Sequence, residues 1–123
     1  MPILPSSYTK PPFYLFNSHF ETIIPSLWRQ IEGVIYNRQK IDTPDGDFLN
    51  LDWSKVGSNK LLVISHGLEG DSNRHYSKAL VKLFNQGAWD VVVWNNRTCG
   101  GEMNIRPILY HHGASYDLDT VIR

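Results

Sequence analysis

The sequence predicts an α/β fold with a mostly parallel sheet, because two apolar runs flank a stretch with helical spacing. Residues 61–64 and 91–94 are continuously apolar, which is typical of strands that are covered on both faces. Between them, apolar residues recur every three or four positions, so residues 61–94 predict a βαβ unit with parallel strands. Ligands in such sheets gather at the carboxyl ends of strands, and the first run ends at a glycine-containing loop, residues 66–70.

Composition and charge point to an ordinary globular protein. The chain has 123 residues, 41% of them hydrophobic, and its 12 basic and 12 acidic side chains cancel. The neutral balance gives no electrostatic reason to expect nucleic acid or an anionic membrane as a partner. The single cysteine, Cys99, cannot form an internal disulfide. Residues 1–7 lack a secretory signal pattern and no apolar run approaches the roughly 18 residues of a membrane-spanning helix, so we predict a cytoplasmic protein without a transmembrane segment.

Residues 1–35 are predicted to form an extended amino-terminal arm with one short helix. Four prolines in the first 16 residues resist regular structure. Aromatic residues among them favour packing of the arm onto the rest of the chain (Tyr8, Phe13, Tyr14 and Phe16). In residues 17–29 the apolar side chains follow helical spacing, which predicts a short helix or turn interrupted by Pro25.

Residues 36–53 predict a hairpin at the edge of the sheet. Residues 36–42 can form a strand, residues 44–47 (Pro-Asp-Gly-Asp) are strong turn formers, and residues 48–53 alternate between two faces. We interpret the acidic residues here as ordinary turn and edge-strand residues (Asp45, Asp47 and Asp52).

The helix that follows the loop 66–70 is predicted from its caps and its apolar stripe. Residues 71–73 (Asp-Ser-Asn) are candidate N-caps, and Gly87 fits the left-handed residue that ends a helix. The stripe consists of residues expected to face the sheet (Tyr76, Ala79, Leu80, Leu83 and Phe84).

The last part of the chain predicts a long loop and a second helix. Residues 95–113 are polar and too long for a simple connection, so they are a candidate functional loop. Arg97 within this loop either pairs with an acid near the site or anchors the loop, and the sequence leaves both open. Residues 115–123 predict a helix capped by Ser115, with three residues facing inward (Leu118, Val121 and Ile122).

The loop His66-Gly67-Leu68-Glu69-Gly70 has three interpretations. As an oxyanion loop, it would point a backbone N–H, best that of Leu68, at a carbonyl oxygen that becomes negative, with Gly67 allowing the tight turn. As a phosphate cradle it is poorly supported, because no lysine follows the glycines. As a plain turn between strand and helix it needs no function. The pattern favours the oxyanion loop over the plain turn without excluding the latter.

No nucleophile or metal site is predicted within the chain. The nearest approach to Gly-x-Ser-x-Gly is residues 113–117, where Asp117 stands in place of the second glycine, so Ser115 is interpreted as a helix cap. Ser72 has Arg74 at the glycine position, and Cys99 lacks a placed base. His111 and His112 are adjacent and diverge on almost any backbone, so we predict neither a metal nor another cofactor.

Five segments together resemble the amino-terminal part of the YheT-like α/β-hydrolases, a family of predicted esterases and lipases. They are Asn17 to Arg29, Thr43 to Trp53, Ser65 to Gly70, Trp94 to Asn104 and Tyr110 to Leu118. Their order spans nearly the whole chain and is much more specific than a lone His-Gly pair. The family usually has glycine where Ser18 and Thr98 stand, so the turn geometry is expected to differ slightly at both positions.

This resemblance implies the first part of an α/β-hydrolase fold, residues 36–123, which ends before the serine elbow and leaves the sheet incomplete. It implies a serine-dependent acyl-ester hydrolase, or a related acyltransferase, acting on a small-molecule or lipid ester without a cofactor. Leu68 would supply one backbone oxyanion donor, while the other four residues of the loop shape it (His66, Gly67, Glu69 and Gly70). The catalytic Ser, Asp and His would lie outside this chain, and His66 is not the base. The alternative is a non-catalytic remnant or interaction module.

Overall fold

The computed structural model describes Pro5, residues 10–111 and residues 113–123, which belong to two compact units, Met1–Gln30 and Ile31–Arg123. The predictions for residues 1–4, 6–9 and 112, among them those on Tyr8 and His112, lie outside the described residues. In the first unit, helix α1 (Ser18–Trp28) begins at Asn17, whose side chain accepts hydrogen bonds from the backbone N–H groups of His19 and Phe20. The predicted short helix is confirmed, but the predicted interruption at Pro25 is wrong, because the helix continues across this residue.

The second unit contains one four-stranded sheet with the order β1-β2-β4-β3. Its elements are β1 (Asn37–Asp42), β2 (Phe48–Ser54), β3 (Leu61–Ser65), α2 (His75–Gln86), β4 (Asp90–Asn95) and α3 (Ser115–Ile122). Strands β1 and β2 pair antiparallel, β2 pairs antiparallel with β4, and β3 pairs parallel with β4. The predicted edge hairpin and parallel βαβ unit are therefore confirmed.

The core lies on both faces of β4. One cluster joins Val92 and Trp94 to Leu49 and Leu51 of β2, with Leu118 of α3 packed against it. The other joins Val91 and Val93 to Ile64 of β3 and Val81 of α2. Residues 91–94 of β4 are thus buried on both faces, as their continuous apolar run predicts.

The same prediction is wrong for most of β3. Leu61 is 46% exposed and Val63 36% exposed, and only Ile64 of the apolar run is buried. The physical reason is the position of β3, because it is the last strand in the sheet formed by the described residues. One of its long edges has no neighbouring strand there.

The ends and the inner face of the two later helices differ from the predictions. Arg74 occupies the N-cap of α2 and Ala114 that of α3, and neither side chain makes a capping hydrogen bond, so residues 71–73 and Ser115 are not the caps. Gly87 has a φ of −82°, and the left-handed residue is Ala88 with a φ of 58°.

The inner face of α2 carries Ser77 and Val81, which are fully buried, whereas three residues of the predicted stripe are exposed (Tyr76, Leu80 and Leu83). Ile122 of α3 is likewise exposed. No described element of the second unit covers these apolar side chains. The apolar stripe therefore predicts a wider buried face on the helix than the described residues bury.

Candidate active site

The loop 66–70 lies at the carboxyl end of β3 and is held by the ring of His66. The His66 side chain is buried, and its Nε2 accepts a hydrogen bond from the backbone N–H of Asn96 at 3.0 Å. Because Nε2 is an acceptor, the ring proton lies on Nδ1, which donates to the carbonyl oxygen of Gly67 at 2.8 Å. Both ring nitrogens are therefore occupied by backbone groups, which leaves His66 without a free nitrogen to act as a base.

The backbone amides of the loop have different partners. The N–H of Gly67 donates to the hydroxyl of Tyr76 at 3.2 Å, and the N–H of Glu69 donates to the hydroxyl of Tyr110 at 2.6 Å. The N–H of Gly70 donates to the carbonyl of Gly67 at 3.0 Å and closes the turn. Within the described part of the chain, the N–H of Leu68 donates to no acceptor. Leu68 thus carries the amide that is available to a ligand.

The structure places the steric requirement for glycine at position 70. A Cβ on Gly70 would clash with the Tyr76 hydroxyl and lie 3.0 Å from the carbonyl oxygen of Gly67. A Cβ on Gly67 would meet nothing closer than 3.9 Å, and the φ of Gly67 is not positive. The residue with a left-handed conformation is Glu69, with a φ of 51°. Gly70, not Gly67, is therefore where a side chain cannot be accommodated.

We expect Gly70→Ala to lower the free energy of unfolding of the 123-residue chain by about 1–3 kcal/mol, because the added methyl overpacks the turn. The matched control is Gly67→Ala, which we expect to be neutral or to stabilise by up to about 1 kcal/mol through the unfolded state. Urea unfolding followed by circular dichroism measures both. Equal losses in the two variants would contradict this assignment of the glycines.

A cleft of 410 Å³ opens beside the loop. On one side it is formed by residues 65–68, and on the other by the start of α3 and the end of the long loop. The remaining lining residues are Trp94, Asn96, Tyr110, His111, Ala114, Ser115 and Leu118. The cleft is mostly apolar on the side of Trp94 and Leu118, while Leu68 lies at its loop side. The cleft therefore offers a mostly apolar lining beside Leu68, the residue whose N–H has no acceptor in the described part of the chain.

The candidate nucleophiles of the chain do not form a catalytic arrangement. Ser115 lines the cleft and is the first residue of α3, but no strand leads directly into this helix. In the described ranges the Ser115 hydroxyl makes no hydrogen bond to a histidine. Ser72 is fully buried and its hydroxyl donates to Asp52. Burial raises the pKa of the Cys99 thiol, which disfavours the nucleophilic thiolate. The described residues also contain no group of three or more potential ligands that could hold a metal ion.

Arg97 anchors the long loop through a buried ion-pair cluster that the sequence prediction left open. Its guanidinium donates to both carboxylate oxygens of Asp117, at 2.9 and 2.7 Å, to Asp45 at 2.7 Å and to Asp47 at 3.1 Å. Hydrogen bonds from Arg97 lower the pKa of Asp45 to about 2. Burial raises the pKa of Asp47, but hydrogen bonds, first that from Asn104, outweigh burial and lower it overall.

Asp52 is the centre of a second buried cluster. It accepts two hydrogen bonds from Arg38 at 2.7 Å, one from Ser72 and one from Asn95 at 2.8 Å. Burial raises the pKa of Asp52, and these hydrogen bonds outweigh it, so the net shift is downward. Asp45 and Asp47 do lie in the turn between β1 and β2, as predicted, but the interpretation of these two and Asp52 as ordinary turn and edge-strand residues misses their ion pairs and hydrogen bonds. The two clusters hold two segments that are connected to the candidate site. The Asp52 cluster fixes Ser72, which follows the loop 66–70, and the Arg97 cluster fixes the loop 95–113.

The strand order and the structural comparison indicate an α/β-hydrolase fold. The second unit has a mixed sheet with an antiparallel hairpin beside a parallel βαβ unit. The esterase Pf2001 of Pyrococcus furiosus has a similar fold, with a TM-score of 0.56 and 20% sequence identity over 75% of this chain and 38% of that chain. The chain therefore has a partial α/β-hydrolase fold. Every helix in the described ranges is too short or too polar to cross a membrane.

Sequence comparison then gives the family. The chain is 35% identical over 111 residues to the YheT protein of Escherichia coli (strain K12), covering 87% of this chain and 33% of the relative. It is 27% identical over 130 residues to phospholipase ABHD3 of Bos taurus, covering 98% of this chain and 31% of the relative. No model of a protein family matches the chain. The chain belongs to the YheT-like α/β-hydrolases, and it spans about a third of the length of these curated relatives.

Proposed function

We propose that these residues are the amino-terminal, oxyanion-loop part of a serine-dependent acyl-ester hydrolase whose catalytic Ser, Asp and His are supplied by residues outside the 123. The observation that carries the proposal is the Leu68 N–H, which is free of partners in the described structure and lies beside an apolar cleft. In this proposal residues 1–35 form an arm and residues 36–123 form the first part of the hydrolase domain. The protein is proposed to be cytoplasmic.

Leu68 acts in the step where negative charge develops. The serine hydroxyl adds to the ester carbonyl as its proton passes to histidine, and the carbonyl oxygen becomes an oxyanion. The Leu68 N–H donates to this oxyanion, together with the N–H that follows the serine. The intermediate collapses when the alcohol leaves with the proton from histidine, and water then releases the acid. One such donor stabilises the transition state by about 3 kcal/mol.

Three further observations support this role. His66, with both ring nitrogens bonded to backbone, shapes the loop and does not act as a base. The free edge of β3 can take another parallel strand, which would bring its carboxyl end beside Leu68. The relatives named above include a phospholipase, which supports a small-molecule or lipid ester as substrate. No step of this reaction requires a cofactor.

The free edge of β3 also supports a second candidate, a non-catalytic interaction module. Leu61 and Val63 are exposed on a strand that has one unpaired edge in the described residues, and such edges pair with other chains. If the 123 residues act alone, we expect sedimentation of the purified chain to find dimers or larger species. A stable monomer would contradict this second candidate.

The two candidates predict different activities. We expect the full-length product of the gene that encodes these residues to hydrolyse a p-nitrophenyl ester and to react with a fluorophosphonate probe, because both need an activated serine. We expect the isolated 123-residue chain to do neither. Turnover by the isolated chain would contradict the absence of a nucleophile in it. A full-length product that neither hydrolyses esters nor binds the probe would contradict the proposed function.

A further inference from the structure

Two tyrosine hydroxyls contact the loop 66–70, one at the residue before Leu68 and one at the residue after it. Tyr76 lies in the first turn of α2, and its hydroxyl accepts from the N–H of Gly67 at 3.2 Å. Tyr110 lies near the end of the long loop, and its hydroxyl accepts from the N–H of Glu69 at 2.6 Å. The amides before and after Leu68 are therefore both occupied, each by a side chain from a different element.

We propose that Tyr76 and Tyr110 are positioning residues for the oxyanion donor. Each hydroxyl fixes one of the amides that flank Leu68, and the turn between them leaves the Leu68 N–H without a partner among the described residues. In this proposal both hydroxyls act through the backbone, although the Tyr110 side chain also lines the cleft. The catalytic consequence rests on the function proposed above, whereas the hydrogen-bonding arrangement does not.

The physical reason for such an arrangement lies in the backbone of the loop. Glu69 has a left-handed conformation, which is costly for a residue with a side chain and persists only where the surroundings hold it. The N–H of Glu69 itself donates the 2.6 Å hydrogen bond to the Tyr110 hydroxyl. Removing that hydroxyl removes a contact that holds the strained residue next to Leu68.

The elements that carry the two tyrosines are themselves fixed. The long loop that leads to Tyr110 is held by Asn104, whose side chain donates to Asp47 at 2.9 Å and to the carbonyl oxygen of Phe48 at 2.7 Å. The segment that leads into α2 is held by Ser72, whose N–H donates to Asn95 at 3.0 Å. The segments that lead to the two tyrosines are therefore hydrogen-bonded to strands of the sheet, the first to β2 and the second to β4.

Amide hydrogen exchange of the 123-residue chain tests the arrangement without requiring activity. We expect Tyr110→Phe to speed exchange of the Glu69 amide about five- to tenfold, because the hydrogen bond is lost while the ring remains. Tyr76→Phe should do the same for the Gly67 amide. The matched control is Tyr116→Phe, because the Tyr116 hydroxyl makes no hydrogen bond in the described residues. Unchanged exchange at Glu69 in Tyr110→Phe would overturn the proposal.

Steady-state kinetics of the full-length enzyme tests the catalytic consequence. We expect Tyr110→Phe to lower kcat about 10- to 100-fold with KM nearly unchanged, because a misplaced donor weakens the transition state and not substrate binding. Tyr116→Phe should retain both constants. A changed KM with unchanged kcat would overturn the positioning role.

The two measurements separate the possible failures. If the wild-type enzyme has no esterase activity, the proposed function fails, and the exchange data still decide whether the two hydroxyls hold the loop. If the wild type is active and exchange changes but kcat does not, the function stands and the positioning role fails. Circular dichroism of each variant shows whether it is folded, and an unfolded Tyr110→Phe chain is replaced in both assays by Tyr76→Phe.

Discussion

Leu68→Pro is expected to lower kcat of the full-length enzyme about 100- to 1000-fold, the effect of losing one oxyanion donor. Proline has no N–H, so the substitution removes a loop amide that has no partner among the described residues. Leu68→Ala keeps the N–H and is expected to change kcat less than about threefold. The Leu68 side chain is 73% exposed, so its truncation leaves no buried cavity.

The comparison of the two Leu68 variants depends on an intact loop. Proline also restricts the residue before it to extended conformations, so the Gly67 amide must be shown to keep its hydrogen bond to Tyr76. Amide exchange of Gly67 and Glu69 in the 123-residue chain provides that control. If Leu68→Pro and Leu68→Ala lose activity equally while the exchange rates of both amides stay as in the wild type, the oxyanion assignment is refuted.

Local patterns were enough to predict the sheet but not the helix faces. The alternation in residues 48–53 and the turn at 44–47 predict the β1–β2 hairpin, because both depend on neighbours in sequence. The inner face of α2 depends on what the rest of the protein places against it. Leu80 and Leu83 fit an apolar stripe but are exposed, since the described residues bury only the part of the helix around Val81.

The sequence does not predict that Asp47 and Asp52 are buried, because charged residues are usually exposed. One of the pairs was within reach of the sequence. The hairpin register places Arg38 directly opposite Asp52, and opposite charges in that position attract each other. The contact between Arg97 and Asp117 could not be predicted in this way, because it depends on the path of residues 98–113.

The sequence predicts the candidate site only through its backbone chemistry, and the donor at Leu68 stays a prediction. The strand end, the glycines and the His-Gly pair predict a donor at Leu68, because ligands in α/β sheets gather at the carboxyl ends of strands. The hydroxyls of Tyr76 and Tyr110 could not be assigned from the sequence. Tyr76 fits the apolar stripe of α2, and Tyr110 comes from an irregular loop 41 residues after Glu69.

Arg97→Met is expected to lower the free energy of unfolding of the 123-residue chain by about 3–5 kcal/mol, the effect of leaving buried charges without their partner. The side chains of Asp117 and Asp47 are 1% and 0% exposed, so water cannot replace the guanidinium. The matched control is Arg123→Met, which breaks a pair whose side chains are 79% and 58% exposed. That pair is expected to contribute less than about 1 kcal/mol. Urea unfolding at pH 7 compares the two, and similar losses would contradict the importance of the buried cluster.

The pH dependence of the Arg97→Met effect tests its electrostatic origin. In the wild type hydrogen bonds, first from Arg97 and then from Thr43, lower the pKa of Asp45 to about 2, so the contribution of Arg97 is complete above the unfolded value of 3.8 and is lost as pH falls toward 2. Asp47 keeps its hydrogen bonds from Asn104 and from the backbone N–H groups of Phe48 and Ile105 when Arg97 is replaced, so its lowered pKa does not distinguish the two proteins. Protonation of Asp45 therefore weakens the wild type more than the variant, and the difference in unfolding free energy should shrink as pH falls from 5 to about 2. A difference that stays constant over this range would mean that the loss comes from packing of the Arg97 side chain and not from its charge.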